Sequence, residues 1–85
     1  MKRQEQEIRG VPLWLVREYL QELGGQVGPD GSIQGPGWSI RLRQIDDYQV
    51  GSLSVGQVSL ELEADPGVFD DISQGLKRKL VRAGG

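Results

Sequence analysis

"GPDGSIQGPGW", residues 28–38, places four glycines and two prolines in eleven positions. Such a stretch is either a loop shaped around a phosphate or punctuation between strands, and the two readings lead to different folds. A phosphate cradle leads from a strand into a helix N-terminus, commonly with a lysine close by. Here the glycines lead into "WSIRLRQI", residues 38–45, where Trp38, Ile40 and Leu42 alternate with Ser39, Arg41 and Arg43. That is the period of a half-buried strand. Pro29 takes the second position of a turn, Gly31 stands where a positive φ is wanted, and Gly35-Pro36-Gly37 repeats the device. The stretch reads as hairpin punctuation in an antiparallel sheet.

Upstream, Gln4 to Arg9 can form a strand, after which Gly10, Val11 and Pro12 break the chain and open a helix with Pro in its first turn. Leu13, Val16, Leu20 and Leu23 recur on one side of that helix, and Arg17, Glu18, Gln21 and Glu22 line the other, before Gly24 and Gly25 stop it. Downstream, the strand from Trp38 is expected to reach about Ile45, with "DDYQVG", residues 46–51, turning the chain. "SLSVGQVSLELE", residues 52–63, then gives one long strand. Leu53 and Val55 have one parity and Val58, Leu60 and Leu62 the other, so Gly56 is expected at a bulge that restores the inward face. In "ADPGVFDD", residues 64–71, Asp65 suits an N-cap, Pro66 the first helical position, and Asp70 and Asp71 the first turns. Val68, Ile72, Leu76 and Leu80 form the stripe of this second helix, with Phe69 beside them and Lys77, Arg78, Lys79 and Arg82 gathered toward its end near Ala83. The order β-α-β-β-β-β-α, with two helix stripes that need a sheet to cover, predicts an α+β two-layer sandwich over residues 1–85, its antiparallel sheet carrying both helices on one face.

The 85 residues suffice for one core layer, which confines function to the surface of a single domain. Ten basic against twelve acidic residues leave a net charge of −2, so nucleic acid is not an expected partner. Without cysteine or histidine there is no disulfide framework, no thiolate or imidazole ligand and no ordinary base for a nucleophilic serine. The polar segment Met1 to Gly10 lacks the apolar run of a signal peptide, and no stretch approaches the ~20 apolar residues of a membrane helix. A soluble, cytoplasmic, non-enzymatic domain without cofactor or metal is the expectation. The absence of threonine and asparagine fits a thermophilic source, although nine glutamines weigh against it.

Asp46-Asp47 and Asp70-Asp71 are paired carboxylates, but adjacent residues on a strand or helix point apart, and turn chemistry and helix-dipole complementation account for them. Trp14 falls with Arg17, Glu18 and Gln21 rather than with the helix stripe, so it either folds over the sheet edge or the entry loop, or anchors a partner. Arg41 and Arg43 project from the sheet face away from the helices, as Glu61 and Glu63 do. They either pair across strands or present an open face to an acidic or polar partner.

The stretches "GVPLWLVREYL", "GWSIRLRQIDDYQVGSL" and "LEADPGVFDDI" together resemble the domain that follows the ubiquitin-like part in thermophilic bacterial proteins related to the small subunit of molybdopterin synthase. The resemblance covers nearly the whole chain. It implies a β-α-β4-α arrangement of the TBP-like class and brings no catalytic motif. The terminal "RAGG" resembles ubiquitin-like sulfur carriers, whose Gly-Gly carboxyl terminus is adenylated and converted to a thiocarboxylate. In those carriers the tail follows a strand, whereas Gly84 here is expected to close an amphipathic helix. Three functions are therefore expected in descending order. The first is an interaction or accessory module connected with molybdopterin or sulfur-carrier biochemistry, using Trp14, Arg41 and Arg43 toward a protein partner or a second copy. A sulfur carrier using Gly84 and Gly85 comes next, then a binder holding a small ligand between the last helix and the sheet.

Overall fold

The turn residues of 28–38 do what their chemistry suggests. In the computed structural model, which describes Met1–Gly84, Val27 pairs with Ile33 across a loop in which Gly28 N–H donates to the Ser32 carbonyl at 2.8 Å and Gly31 has φ 84°. Gly35 pairs with Trp38 around Pro36-Gly37, and Gly37 has φ 76°. Positive φ is steep for any residue with a Cβ, which is why glycine holds these corners.

The elements are β1 (Lys2–Arg9), α1 (Leu13–Glu22), β2 (Gln26–Val27), β3 (Ile33–Gly35), β4 (Trp38–Val50), β5 (Leu53–Ala64) and α2 (Pro66–Gly84). All neighbouring strands are antiparallel, in the order β1-β5-β4-β3-β2. The long β4–β5 hairpin occupies the middle, with β1 beside β5 and the short β3 and β2 beside β4. Val16 and Leu20 of α1 and Ile72 and Leu76 of α2 meet Ile8, Ile40, Leu60 and Leu62 of the sheet in one buried cluster. Both helices therefore cover one face, and the expected α+β sandwich is the observed one.

Trp38 closes the end of this core. It is only 5% exposed, and its indole lies against the backbone of Gly35 and Gly25, where a Cβ at either glycine would overlap the ring. Gly25 N–H also donates to the Leu20 carbonyl at 2.9 Å, so the same glycine ends α1 and seats the tryptophan.

The hairpin differs from expectation in three respects. β4 continues past Ile45 to Val50, and the chain turns at Gly51-Ser52, where Val50 pairs with Leu53 and Gly51 has φ 59°. Asp46 and Asp47 are thus strand residues. There is a bulge opposite Gly56, but the extra residue belongs to β4: Ile45 pairs with Gln57 and Tyr48 with Val55, so Asp46 and Asp47 together face Gly56. β5 is uninterrupted, and Leu53 and Val55 keep the parity of Gln57 and Ser59 instead of returning to the core. Leu53 is 66% exposed. In α2, Asp70 and Asp71 lie beyond the first turn, and the helix continues through Gly84 instead of ending before it.

Gly31→Val should lower stability by about 1 kcal/mol or more through backbone strain. Gly35→Ala should lower it by ~1–3 kcal/mol by displacing Trp38. Urea unfolding curves check both, and a midpoint equal to the parent's for Gly35→Ala would show that the ring can move aside freely.

Candidate functional site

Side chains alternate along each strand, so the residues between core positions share the face away from the helices. That open face carries Arg3, Glu5, Glu7 and Arg9 from β1, Gln57, Ser59, Glu61 and Glu63 from β5, and Arg41, Arg43 and Ile45 from β4. Register sets them in rows. Glu5, Glu61 and Arg41 lie side by side across the three strands, and Glu7, Ser59 and Arg43 form the next row.

Cross-strand pairing does not neutralise the two arginines. Glu63 is held by Arg3, at 2.6 Å, and among the described residues the other ion pair joins Lys79 to Glu22 at 3.0 Å. Arg41 stands opposite Glu61 in register but forms no ion pair with it, and Arg43 faces the uncharged Ser59. Both arginines are exposed, and they border an open groove of about 470 Å³ together with Asp30, Ser32, Ser59 and Glu61. The Asp30 carboxylate accepts the Ser32 hydroxyl at 2.7 Å and the Ser32 N–H at 3.1 Å. Those two hydrogen bonds, with a smaller contribution from Arg41, hold its pKa below the ordinary value of 3.8.

Beyond the groove the face changes character. Gln57 spans the bulge: its Nε2 donates to the Asp46 carbonyl at 2.8 Å and its Oε1 accepts from Arg9 Nε at 2.9 Å. The Arg9 guanidinium lies 3.9 Å from the centre of the Tyr48 ring. Past this point Tyr48, Val50 and Leu53 are 40%, 50% and 66% exposed, and the pairs Tyr48–Val55 and Val50–Leu53 keep them on the open face. Sequence reasoning missed this apolar end. Its signal was "VGSL", two apolar residues flanking a two-residue turn, which marks a hairpin tip.

Trp14 is 63% exposed on α1, on the other side of the molecule from Arg41 and Arg43. The three candidate partner residues therefore form two separate surfaces. The carboxylate pairs do not converge either: Asp47 accepts the Ser54 hydroxyl at 2.8 Å within the hairpin, while Asp70 and Asp71 lie exposed on α2. Among the described residues no three acidic side chains stand together as a cation site. The space between α2 and the sheet, the expected ligand cleft, is occupied by Ile72 and Leu76 packed on Leu60 and Leu62. Gly84 is the last residue of α2, and Gly85 lies outside the described residues. No helix among the described residues is long and apolar enough to cross a membrane.

The family model described as archaeal MoaD-like protein matches residues 4–85. The chain belongs to this family. No curated protein matches the chain. The match to the archaeal MoaD-like family spans Trp14, Arg41, Arg43 and the terminal Gly-Gly alike, so it bears on every candidate without selecting one.

Three substitutions probe this face. Arg41→Ala should change stability by no more than ~0.5 kcal/mol, as expected of an exposed side chain without a partner, whereas Gln57→Leu should cost about 1–3 kcal/mol by stranding the Asp46 carbonyl. The Asp30 turn should depend on pH in one direction only. A lowered folded-state pKa means that its contribution is complete above the ordinary carboxyl range and is lost as pH falls through the folded value. Asp30→Ala should therefore flatten the acid limb of the stability curve between neutral pH and about pH 2. An unchanged limb would contradict the role given to the carboxylate.

Proposed function

We propose that this archaeal MoaD-like chain is a non-enzymatic accessory module of molybdopterin or sulfur-carrier biochemistry, docking a protein partner against α1. The observation that carries the reading is Trp14: a large aromatic, 63% exposed, on a helix whose apolar stripe is already satisfied by the sheet. Exposed tryptophans of this kind are common anchors in protein interfaces. Family membership supports the biochemical setting. The lack of histidine and cysteine, and the dispersal of the acidic pairs, support a role without turnover. On this reading the domain is cytoplasmic, and it is of the TBP-like type that follows a ubiquitin-like part in relatives from thermophilic bacteria.

The family match, which extends through Gly85, favours a second reading in which Gly84 and Gly85 serve as a carrier terminus. Against it, α2 is helical through Gly84, whereas the Gly-Gly of such carriers follows a strand.

The test combines binding with mass spectrometry. The chain is titrated against the cognate adenylating enzyme and the large subunit of molybdopterin synthase. Binding to one of them should weaken at least tenfold in Trp14→Ala, with no change in melting. The same chain incubated with ATP and the adenylating enzyme should yield no acyl-adenylate or thiocarboxylate. Failure to bind either protein would overturn the leading reading. A thiocarboxylate on the parent that disappears on deletion of Gly85 would replace it with the carrier.

A further inference from the structure

We propose that the open sheet face is closed by a second copy of this chain, stacked face to face about a two-fold axis that runs along β5. This surface is distinct from that of Trp14, and the inference stands whether or not a partner docks there. Its basis is the way the register distributes charge. β5 lies between β1 and β4, about 5 Å from each. The β1 side presents Glu5 and Glu7, and the β4 side presents Arg41 and Arg43, at matching heights along the strands. Glu5 and Glu7 thus stand across the central strand from Arg41 and Arg43, with Arg3 and Arg9 at the two ends of the β1 column and the apolar end formed by Tyr48, Val50 and Leu53 further along.

A two-fold axis in the interface plane can run along the strands or across them. Across them, β4 would lie on β4 and β1 on β1, with strand direction reversed. Arginine columns would meet each other, glutamates would meet glutamates, and the apolar end would fall on charged rows. Along β5, height is preserved and left exchanges with right. Glu5 and Glu7 of each copy then face Arg41 and Arg43 of the other, and Leu53 and Val55, on the axis, meet their own equivalents. Glu61 and Glu63, on the axis, face their own equivalents; Glu63 is already paired with Arg3, and Glu61 falls between the Arg41 of its own copy and that of the other. Including Arg3, Arg9 and Glu63, the face holds four arginines and four glutamates, so a self-paired interface accumulates no net charge. Like-charge juxtaposition is strongly unfavourable between apposed surfaces, and this arrangement removes it for the outer columns on both sides.

Area is consistent with the same conclusion. The 8 residues of β1, 12 of β5 and 13 of β4, at about 3.3 Å per residue and about 4.8 Å between strands, cover roughly 520 Å² per copy. That exceeds the roughly 400 Å² per partner typical of adventitious packing and approaches the roughly 800 Å² of standard interfaces. The molecule is 42 Å along its longest axis, so the estimate fits within its length. The bulge gives the hairpin its role in the dimer. It sets Tyr48 and Val50 on the open face beside Leu53 and Val55, at the end of the sheet remote from Trp38. Closing the face yields four layers, helices outside and two sheets within, packed at the aligned angle that sheet twist favours.

The experiment uses two charge-reversed chains and sedimentation equilibrium. In one, Arg41→Glu and Arg43→Glu leave only glutamates at the outer positions of the two middle rows; in the other, Glu5→Arg and Glu7→Arg leave only arginines there. All four side chains are exposed, so both chains should fold, which circular dichroism verifies. The parent should sediment as a dimer. Each variant alone should dissociate at least about a hundredfold more readily, and an equimolar mixture of the two should recover a heterodimer. Leu53→Asp should also weaken the parent dimer, reporting the apolar end separately. A parent that stays monomeric up to its solubility limit overturns the proposal. So does a parent dimer that neither charge variant disturbs, or a pair of folded variants that stay monomeric when mixed.

Discussion

The β4–β5 pairing is the constraint on which the rest of the molecule depends. β1 reaches the sheet only through β5, and β3 and β2 only through β4. Ile40 of β4 and Leu60 and Leu62 of β5, almost completely buried, form the floor on which both helices rest. An antiparallel pair of this length alternates its side chains without exception until a bulge intervenes, so inward apolar residues on one face fix which polar residues occupy the other. The open face is a necessary consequence of the core: two short stripes of helix can cover one side of a five-stranded sheet, and the second side must be made compatible with water or with a partner.

The face reaches that compatibility with charges arranged in columns instead of neutralised pairs. Among the described residues Arg3 and Glu63 form the ion pair of this face, while Arg41 and Arg43 stand beside Glu61 and Ser59 without one. Exposed ion pairs contribute little to stability, typically ~0.2–1 kcal/mol, so folding exerts little pressure to close the remaining ones. The chain belongs to the archaeal MoaD-like family. Its antiparallel sheet and closing helix direct attention to surfaces, with Trp14 on one side and the arginine rows with the apolar hairpin end on the other.

Much of this architecture was legible in the chain. Turn chemistry separated hairpin punctuation from a phosphate loop at residues 28–38, because Pro29, Gly31, Pro36 and Gly37 occupy positions whose φ values those residues supply. The helix stripes appear where the 3.6-residue period placed them, and the parity of Arg41 and Arg43 against Ile40 assigned them to the open face before any contact was known. The end of β4 was less legible. Asp46-Asp47 resembles a turn by composition, and what keeps it in the strand is nonlocal: Gln57 caps the Asp46 carbonyl and Ser54 donates to Asp47, from a strand that reaches them only after the real turn at Gly51-Ser52.

The sequence by itself determined the element order, the single core layer and the absence of imidazole and thiol chemistry, since these follow from residue type and local period. Only the tertiary structure decided which strand carries the bulge, and hence that Leu53 and Tyr48 face outward together instead of joining the core. Likewise, only the structure separated Trp14 from the arginines, put Glu63 with Arg3 instead of an arginine of β4, and set Glu5 and Glu7 across β5 from Arg41 and Arg43. The physical reason is the same in each case. Register between strands distant in sequence is set by the summed pairing of whole strands, and no local window of residues contains that sum.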